Sequence, residues 1–93
     1  MKIGLLVLDF HLEGCRSLKE KRRRLLGIRD KIGKNPNVAL CESDYQNNHQ
    51  AAQWAFVALS YDGRVADQIL DSIEEQIDAT VDAYISNTHR THL

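Results

Sequence analysis

The sequence predicts one small α+β domain with the element order β-α-β-β-α-β, in which a four-stranded antiparallel sheet carries two helices on one face. Residues 2 to 10 are apolar almost throughout, as is typical of a central strand buried on both faces. Two later segments, 17 to 34 and 63 to 78, repeat apolar residues at helical spacing. A chain of 93 residues has room for one hydrophobic core, so residues 1–93 are expected to form a single domain.

The sequence marks where the first helix begins and ends, and it places one charged residue on the apolar side of that helix. Ser17 stands three residues before Glu20, which is the spacing of a capping box at a helix N-terminus. Pro36 ends the helix near Lys34, because proline lacks the amide that a helix needs. Lys21 falls in the middle of the apolar sector, so it must either snorkel to water or find a carboxylate partner. The apolar residues of that sector are Leu18, Leu25, Ile28 and Ile32.

A hairpin is expected between the two middle strands. Asn47-Asn48 favours a two-residue turn, since asparagine tolerates the positive φ that such turns require. That turn would pair Cys41 with Trp54 and divide the hairpin into two faces. The face expected under the helices holds Val38, Leu40, Ala55, Val57 and Leu59. The face expected to lack cover holds Ala39, Cys41, Trp54, Phe56 and Ala58.

The last third of the chain completes the predicted topology. Residues 63 to 78 form the second amphipathic helix, with an acidic outer face. Residues 80 to 85 alternate as a half-buried strand does, and the tail from 87 to 93 is expected to be frayed. If both crossovers are right-handed, this order gives the ferredoxin-like arrangement. The acidic residues are Asp67, Asp71, Glu74, Glu75 and Asp78.

The opening KIGLLVLDFHLEGCRSLKEKRRRL, followed by NVALCE and a glutamine-containing hairpin, resembles the bacterial YlxP-like family, a domain of unknown function. The resemblance implies a ferredoxin-like fold, no established activity, and a link to translation or ribosome biogenesis through gene neighbourhood. The hairpin departs from the family pattern. It keeps Gln46 and Gln50 but has Asn47, His49 and Ala51 where the family favours an acid, a tryptophan and an arginine.

Charge is divided between blocks of the sequence. From Arg16 to Lys34 there are nine basic and two acidic residues, whereas the rest of the chain has three basic and eleven acidic ones. The basic block favours RNA or the ribosome as a partner, because such residues neutralise phosphates. Alternatively, the basic first helix pairs with the acidic second helix across a seam of weak ion pairs. The candidate nucleic-acid residues are Arg16, Lys19, Arg22, Arg23, Arg24 and Lys31.

Two further groups of side chains have both a functional and a structural interpretation. Trp54 and Phe56 have the spacing at which aromatics of the RNA recognition motif stack on bases, but period-two aromatics more often pack against protein. Asp9, His11 and Glu13 alternate along the end of the first strand. They would form an acid/base or metal cluster, or simply mark where the strand leaves the core.

Chemical motifs are otherwise lacking. The sequence has no glycine-rich phosphate loop and no nucleophile elbow, so we predict no catalytic, cofactor-binding or metal-binding residue and no small-molecule substrate. An enzyme is the least supported function class. Without an apolar window of membrane-spanning length or a signal peptide, a cytoplasmic protein with two free thiols is expected.

The uncovered sheet face predicts self-association. One layer of helices covers one side of a sheet, yet the first strand offers apolar side chains to both sides. A second copy of the chain is expected to cover the remaining side, most simply as a homodimer. The residues expected at that interface are Ala39, Cys41, Trp54, Phe56 and Ala58.

Overall fold

The computed structural model describes residues 1–93 and confirms the predicted fold class. The four strands have the order β2-β3-β1-β4, and each adjacent pair is antiparallel. This is the ferredoxin-like arrangement, with each crossover passing over one strand. The elements are β1 (Lys2–His11), α1 (Leu18–Arg24), a π-helical turn (Ile28–Ile32), β2 (Val38–Asp44), β3 (Ala51–Ser60), α2 (Gly63–Thr80) and β4 (Tyr84–His92).

Both α-helices begin where the sequence predicts. Ser17 Oγ accepts a hydrogen bond from the Glu20 amide at 3.0 Å, and Asp62 caps α2 by accepting from the Arg64 amide at 2.9 Å. Each cap satisfies an amide that the first helical turn leaves free. The first helical region is not one continuous α-helix, because α1 ends at Arg24 and the chain continues as the π-helical turn. No helix combines the length and apolar character needed to cross a membrane.

The core lies between the helices and one face of the sheet. Alternate residues of β1 and β3 are buried there, as the two-residue period of a strand requires. At Gly4, a Cβ atom would lie 2.9 Å from Leu70 Cδ1, so α2 approaches the β1 backbone closely at this point. The main core residues are Leu6, Leu8, Phe10, Leu25, Ile28, Ile32, Trp54, Phe56, Ala58, Leu70, Ile73 and Ile77.

The predicted hairpin register is wrong by one residue. Cys41 lies opposite Ala55 instead of Trp54, and Leu40 lies opposite Phe56. Trp54, Phe56 and Ala58 are therefore buried under the helices and do not lie on the open face. A one-residue slip exchanges the two faces of a strand, so the expected core and the expected open set of β3 are interchanged. Of the predicted interface residues, Ala39 and Cys41 remain exposed on the open face.

The connection between β2 and β3 explains this error. It is not the expected Asn47-Asn48 turn, because residues 45 to 50 all lie outside the strands. Tyr45 has the positive φ, at 63°, and the pairing of β2 with β3 shifts between Glu42 and Asp44. A bulge of this kind puts an extra residue on one strand, which changes the side-chain faces beyond it.

A buried lysine holds this loop against α1. Lys21 is only 2% exposed, and its ammonium donates to the carbonyl oxygens of Tyr45 at 2.7 Å and Asn48 at 3.0 Å. Its Nζ also lies 3.7 Å from a carboxylate oxygen of Glu42. Of the two alternatives expected for Lys21, the structure shows the carboxylate partner and not a side chain that reaches water. A charge buried this deeply requires such partners.

The expectation of a frayed C-terminal tail is also wrong. β4 runs to His92 and pairs with β1 along its length, and the Leu93 amide donates to the Ile3 carbonyl at 2.9 Å. The predicted alternation from 80 to 85 begins too early, because α2 extends to Thr80. The polar strand β4 is held by its hydrogen bonds to β1 and by side-chain contacts with α2. The sequence pattern could not predict it, because β4 lacks the alternation of apolar and polar residues that indicates a strand.

Replacing Phe56 with alanine tests which face of β3 is buried. We expect Phe56→Ala to lower the free energy of unfolding by about 3–5 kcal/mol, because the ring is fully buried. Leu59→Ala, on the opposite face and 40% exposed, should cost less than about 1 kcal/mol. Urea unfolding of dilute protein measures both, and equal losses would contradict the observed register.

Replacing Lys21 with methionine tests the loop anchor. Lys21→Met leaves two loop carbonyls and a carboxylate without their donor, so we expect a loss of about 2–4 kcal/mol in the free energy of unfolding. Amide hydrogen exchange should accelerate in residues 45 to 50 more than elsewhere. Lys19→Met, on the exposed side of the same helix, is the matched control and should stay within about 0.5 kcal/mol. An unchanged loop in Lys21→Met would contradict the anchor.

Candidate nucleic-acid interface

The outward face of α1 carries a row of unpaired positive charges. Lys19, Arg22 and Arg23 are exposed, and the two arginines follow Lys19 by three and four residues, so each lies beside it on one side of the helix. Leu26, 58% exposed, lies just beyond them. The Arg22 side chain donates only to the Leu18 carbonyl of its own helix, at 3.3 Å. This face continues along the chain, and we call the whole set the basic surface: Arg16, Lys19, Arg22, Arg23, Arg29, Lys31 and Lys34.

Arg24 differs from the other predicted nucleic-acid residues. Its guanidinium lies 3.4 Å from a Glu20 carboxylate oxygen and 3.3 Å from one of Asp82. It also donates to the carbonyl oxygens of Glu13 and Asp82, at 3.0 and 2.8 Å. These contacts join α1 to the two neighbouring loops, so Arg24 holds the fold together. Five of the six predicted residues, all but Arg24, lie exposed in the basic surface.

The acidic face of α2 pairs with β4 and not with α1. Arg90 lies 2.8 Å from Asp71 and 3.0 Å from Glu74, while His92 Nε2 lies 2.6 Å from Asp67. No ion pair joins α1 or the π-helical turn to α2. The seam of ion pairs between the helices of one chain, the alternative considered from sequence, is therefore absent.

Base stacking on the open sheet face by Trp54 and Phe56 is ruled out by their position. Both rings are buried in the core on the helix side of the sheet. The Arg29 guanidinium lies 5.1 Å from the centroid of the Trp54 ring, within the range of a cation–π contact. Trp54 Nε1 is buried without a hydrogen-bond partner, which leaves one orphan donor. The nearby cleft between α1 and β2 has a volume of about 250 Å³ and is lined partly by Arg22 and Glu42.

The group at the end of β1 does not form a metal or acid/base cluster. Asp9 accepts from Gln53 at 2.9 Å and from Asn87 at 3.5 Å, so its carboxylate is used within the sheet. The His11 ring packs against Tyr84, with 5.2 Å between centroids. Glu13 lies in the exposed turn beyond the strand. No group of three histidine, cysteine or acidic side chains is placed to hold a metal ion.

The sequence predicts the basic surface. It does not predict that the cations of this surface form no ion pairs within the chain. The charge block is visible in the composition of residues 16 to 34. The roles of Arg90 and His92 were missed, because the segment that carries them was expected to be frayed. Lys21 could be singled out by its position in the apolar sector, but its partners in the loop could not. Both predicted free cysteines are free, Cys15 buried and Cys41 exposed.

Comparisons with solved structures find the same fold at low sequence identity. A de novo designed protein, Foldit4, aligns over 98% of this chain and 97% of its own, with a TM-score of 0.61 and 10% identity. A predicted chlorite dismutase, TA0507, aligns over 99% of this chain and 42% of its own, with a TM-score of 0.67 and 13% identity. A predicted antibiotic biosynthesis monooxygenase from Chloroflexus aurantiacus J-10-fl aligns over 98% of this chain and 91% of its own, with a TM-score of 0.53 and 18% identity. At these identities the similarity shows the fold alone.

Sequence comparisons identify the family. None of the curated proteins matches this chain. The family model described as "Protein of unknown function (DUF503)" matches residues 3–90, which include all or most of every element of the fold and the whole of the basic surface. The chain therefore belongs to the DUF503 family.

Proposed function

We propose that this protein binds RNA through the basic surface. The observation that carries the proposal is how the ion pairs are distributed. All seven cations of this surface are exposed, and none forms an ion pair. By contrast, Arg24 and Arg90 each contact two carboxylates. Clustered cations without internal partners are what a phosphate backbone neutralises.

The chemistry of the surface favours contacts with the RNA backbone over contacts with bases. Lysine and arginine side chains point outward from one side of a short helix, and Leu26 is the large apolar side chain exposed among them. With Trp54 and Phe56 buried, the middle of the open sheet face presents no aromatic ring for unstacked bases, and the exposed Tyr84 ring at one end of the sheet packs against His11. Backbone contacts position a ligand but read little sequence. The proposal is therefore for an RNA ligand that is recognised by its shape and phosphates.

Similarity to the YlxP-like family gives independent but weaker support. The segments SLKEKRR and NVALCE carry that similarity, which implies a link to translation through gene neighbourhood. An RNA-binding role would fit such a link. The competing candidate is an acidic protein partner, which the same cations would also attract. A polyanion that lacks phosphates distinguishes the two candidates, because it would imitate an acidic protein partner but not RNA.

Charge reversal on α1 tests the proposal. We expect the parent protein to bind a fluorescein-labelled RNA hairpin at low salt, with log Kd depending linearly on log salt. The double variant Arg22→Glu/Arg23→Glu should weaken binding at least roughly tenfold and flatten that slope by about 1–2, because two phosphate contacts are lost. Fluorescence anisotropy across a salt series measures both quantities.

The matched control reverses two exposed cations elsewhere, in Lys2→Glu/Arg64→Glu, which changes the net charge equally. Lys2 lies on β1 and Arg64 at the start of α2, so neither belongs to α1 or to the π-helical turn. This control should retain nearly all of the affinity. A parent protein that does not bind RNA, or equal losses in both double variants, would overturn the proposal. Binding to polyglutamate as tight as to RNA would also overturn it and favour an acidic protein partner.

A further inference from the structure

The open face of the sheet is a second surface that the basic surface does not explain. Odd-numbered residues of β1 and β3 lie on this face, and β2 adds Ala39 and Cys41. No helix covers it. We call this set the aliphatic face: Ile3, Leu5, Val7, Ala39, Cys41, Ala55, Val57 and Leu59.

We propose that the aliphatic face is the interface of a homodimer, in which two copies of the chain pack sheet against sheet. The observed register makes this a different set from the one expected from sequence, because Trp54, Phe56 and Ala58 lie in the core. Leu5, Val7, Ala55 and Val57 lie on the two middle strands of the sheet, β1 and β3. If the two-fold axis passes between β1 and β3, these four residues of one copy would contact the same four residues of the other copy.

One row of polar side chains on this face is hydrogen-bonded internally, whereas His89 and Thr91 lie on the edge strand β4 outside that row. Ser43 Oγ donates to Gln53 Oε1 at 2.8 Å, and Gln53 in turn donates to Asp9 at 2.9 Å. The amide of Asn87 reaches the other oxygen of Asp9 at 3.5 Å. These four residues form a polar row across all four strands, and each has a partner within the row. Covering the row with a second sheet therefore leaves no unpaired carboxylate.

The charges on this face favour a second copy of the chain over RNA as its binding partner. No lysine or arginine projects from it, because Lys2 and Arg90 both lie on the helix side. RNA would therefore find no phosphate contacts there. The carboxylates on the face are Asp9, which is bonded to two side-chain amides, and Asp44 at the end of β2, which lies opposite Gln53 and accepts from the Tyr45 amide. The middle of the face, on β1 and β3, is apolar and complements another copy of itself, while His89 and Asp44 lie on the two edge strands.

The size of the face is sufficient for a dimer of moderate affinity. Four strands about 4.8 Å apart, with about eight residues each at roughly 3.3 Å, cover on the order of 500 Å² per copy. Two copies bury about 1,000 Å², which is at the lower limit for a specific interface. We therefore expect a dissociation constant in the micromolar range, about 1–50 µM. The helices would lie on the outer sides of the dimer, and the two basic surfaces would remain free.

Sedimentation velocity over a concentration series tests the dimer. At about 100 µM the particle mass should approach twice 10.6 kDa, and it should fall toward one chain below about 1 µM. Val57→Lys, at the centre of the aliphatic face, should remain a monomer throughout the series. Val65→Lys replaces an exposed valine on α2 and is the matched control, which should associate like the parent. A parent that stays monomeric at about 100 µM overturns the proposal.

The reactivity of Cys41 gives a second measurement that needs no substitution. Cys41 is exposed in the single chain and lies on the aliphatic face, whereas Cys15 is buried in either state. We expect N-ethylmaleimide to modify Cys41 about two- to sevenfold more slowly at 100 µM than at 1 µM protein, because the dimer covers it. Mass spectrometry of the modified peptide measures the rate. A Cys41 rate that is independent of protein concentration overturns this interface even if another dimer forms.

Discussion

Burial of the Lys21 ammonium is the contact on which the rest of the structure depends. A charge that is 2% exposed needs partners, and those partners come from the loop after β2 and from Glu42 on that strand. The loop carbonyls converge on the ammonium, which joins the first helix to the hairpin. This contact favours the longer connection and the bulge near Glu42 over a tight turn. The register that results places Trp54 and Phe56 under the helices and leaves smaller aliphatic side chains outside.

Two surfaces with different chemistry follow from this arrangement. β4 supplies Arg90 and His92 to the acids of α2, so those acids do not neutralise the cations of α1. Those cations stay free to attract a polyanion at a solvent-exposed helix. On the opposite side of the molecule, the aliphatic face has no basic residue, and its polar row is hydrogen-bonded internally. The proposed RNA binding and the proposed dimer would therefore use separate faces, and neither proposal depends on the other.

The sequence predicts elements and their order better than it predicts pairing. The cap at Ser17, helical periodicity and the apolar first strand are local features, and local features persist in the fold. The hairpin register was wrong because a bulge near Glu42 and a longer connection replace the tight turn, and that connection contacts Lys21, which lies 24 residues from Tyr45 along the chain. Likewise, the strand character of residues 87 to 92 comes from pairing with β1 and from α2, since its polar sequence lacks apolar alternation. Of the candidate site, the cations were predictable, and their freedom from internal partners was not.

The central claim is that RNA meets this protein at the outward face of α1 and nowhere on the sheet. A titration of ¹⁵N-labelled protein with an unlabelled RNA hairpin, followed by backbone amide shifts, tests this claim most directly. We expect the largest shift changes at Lys19, Arg22, Arg23 and Leu26, with smaller ones in the π-helical turn and little change along the middle strands. Changes concentrated at Leu5, Val7, Ala55 and Val57, or no changes at all, would contradict the claim.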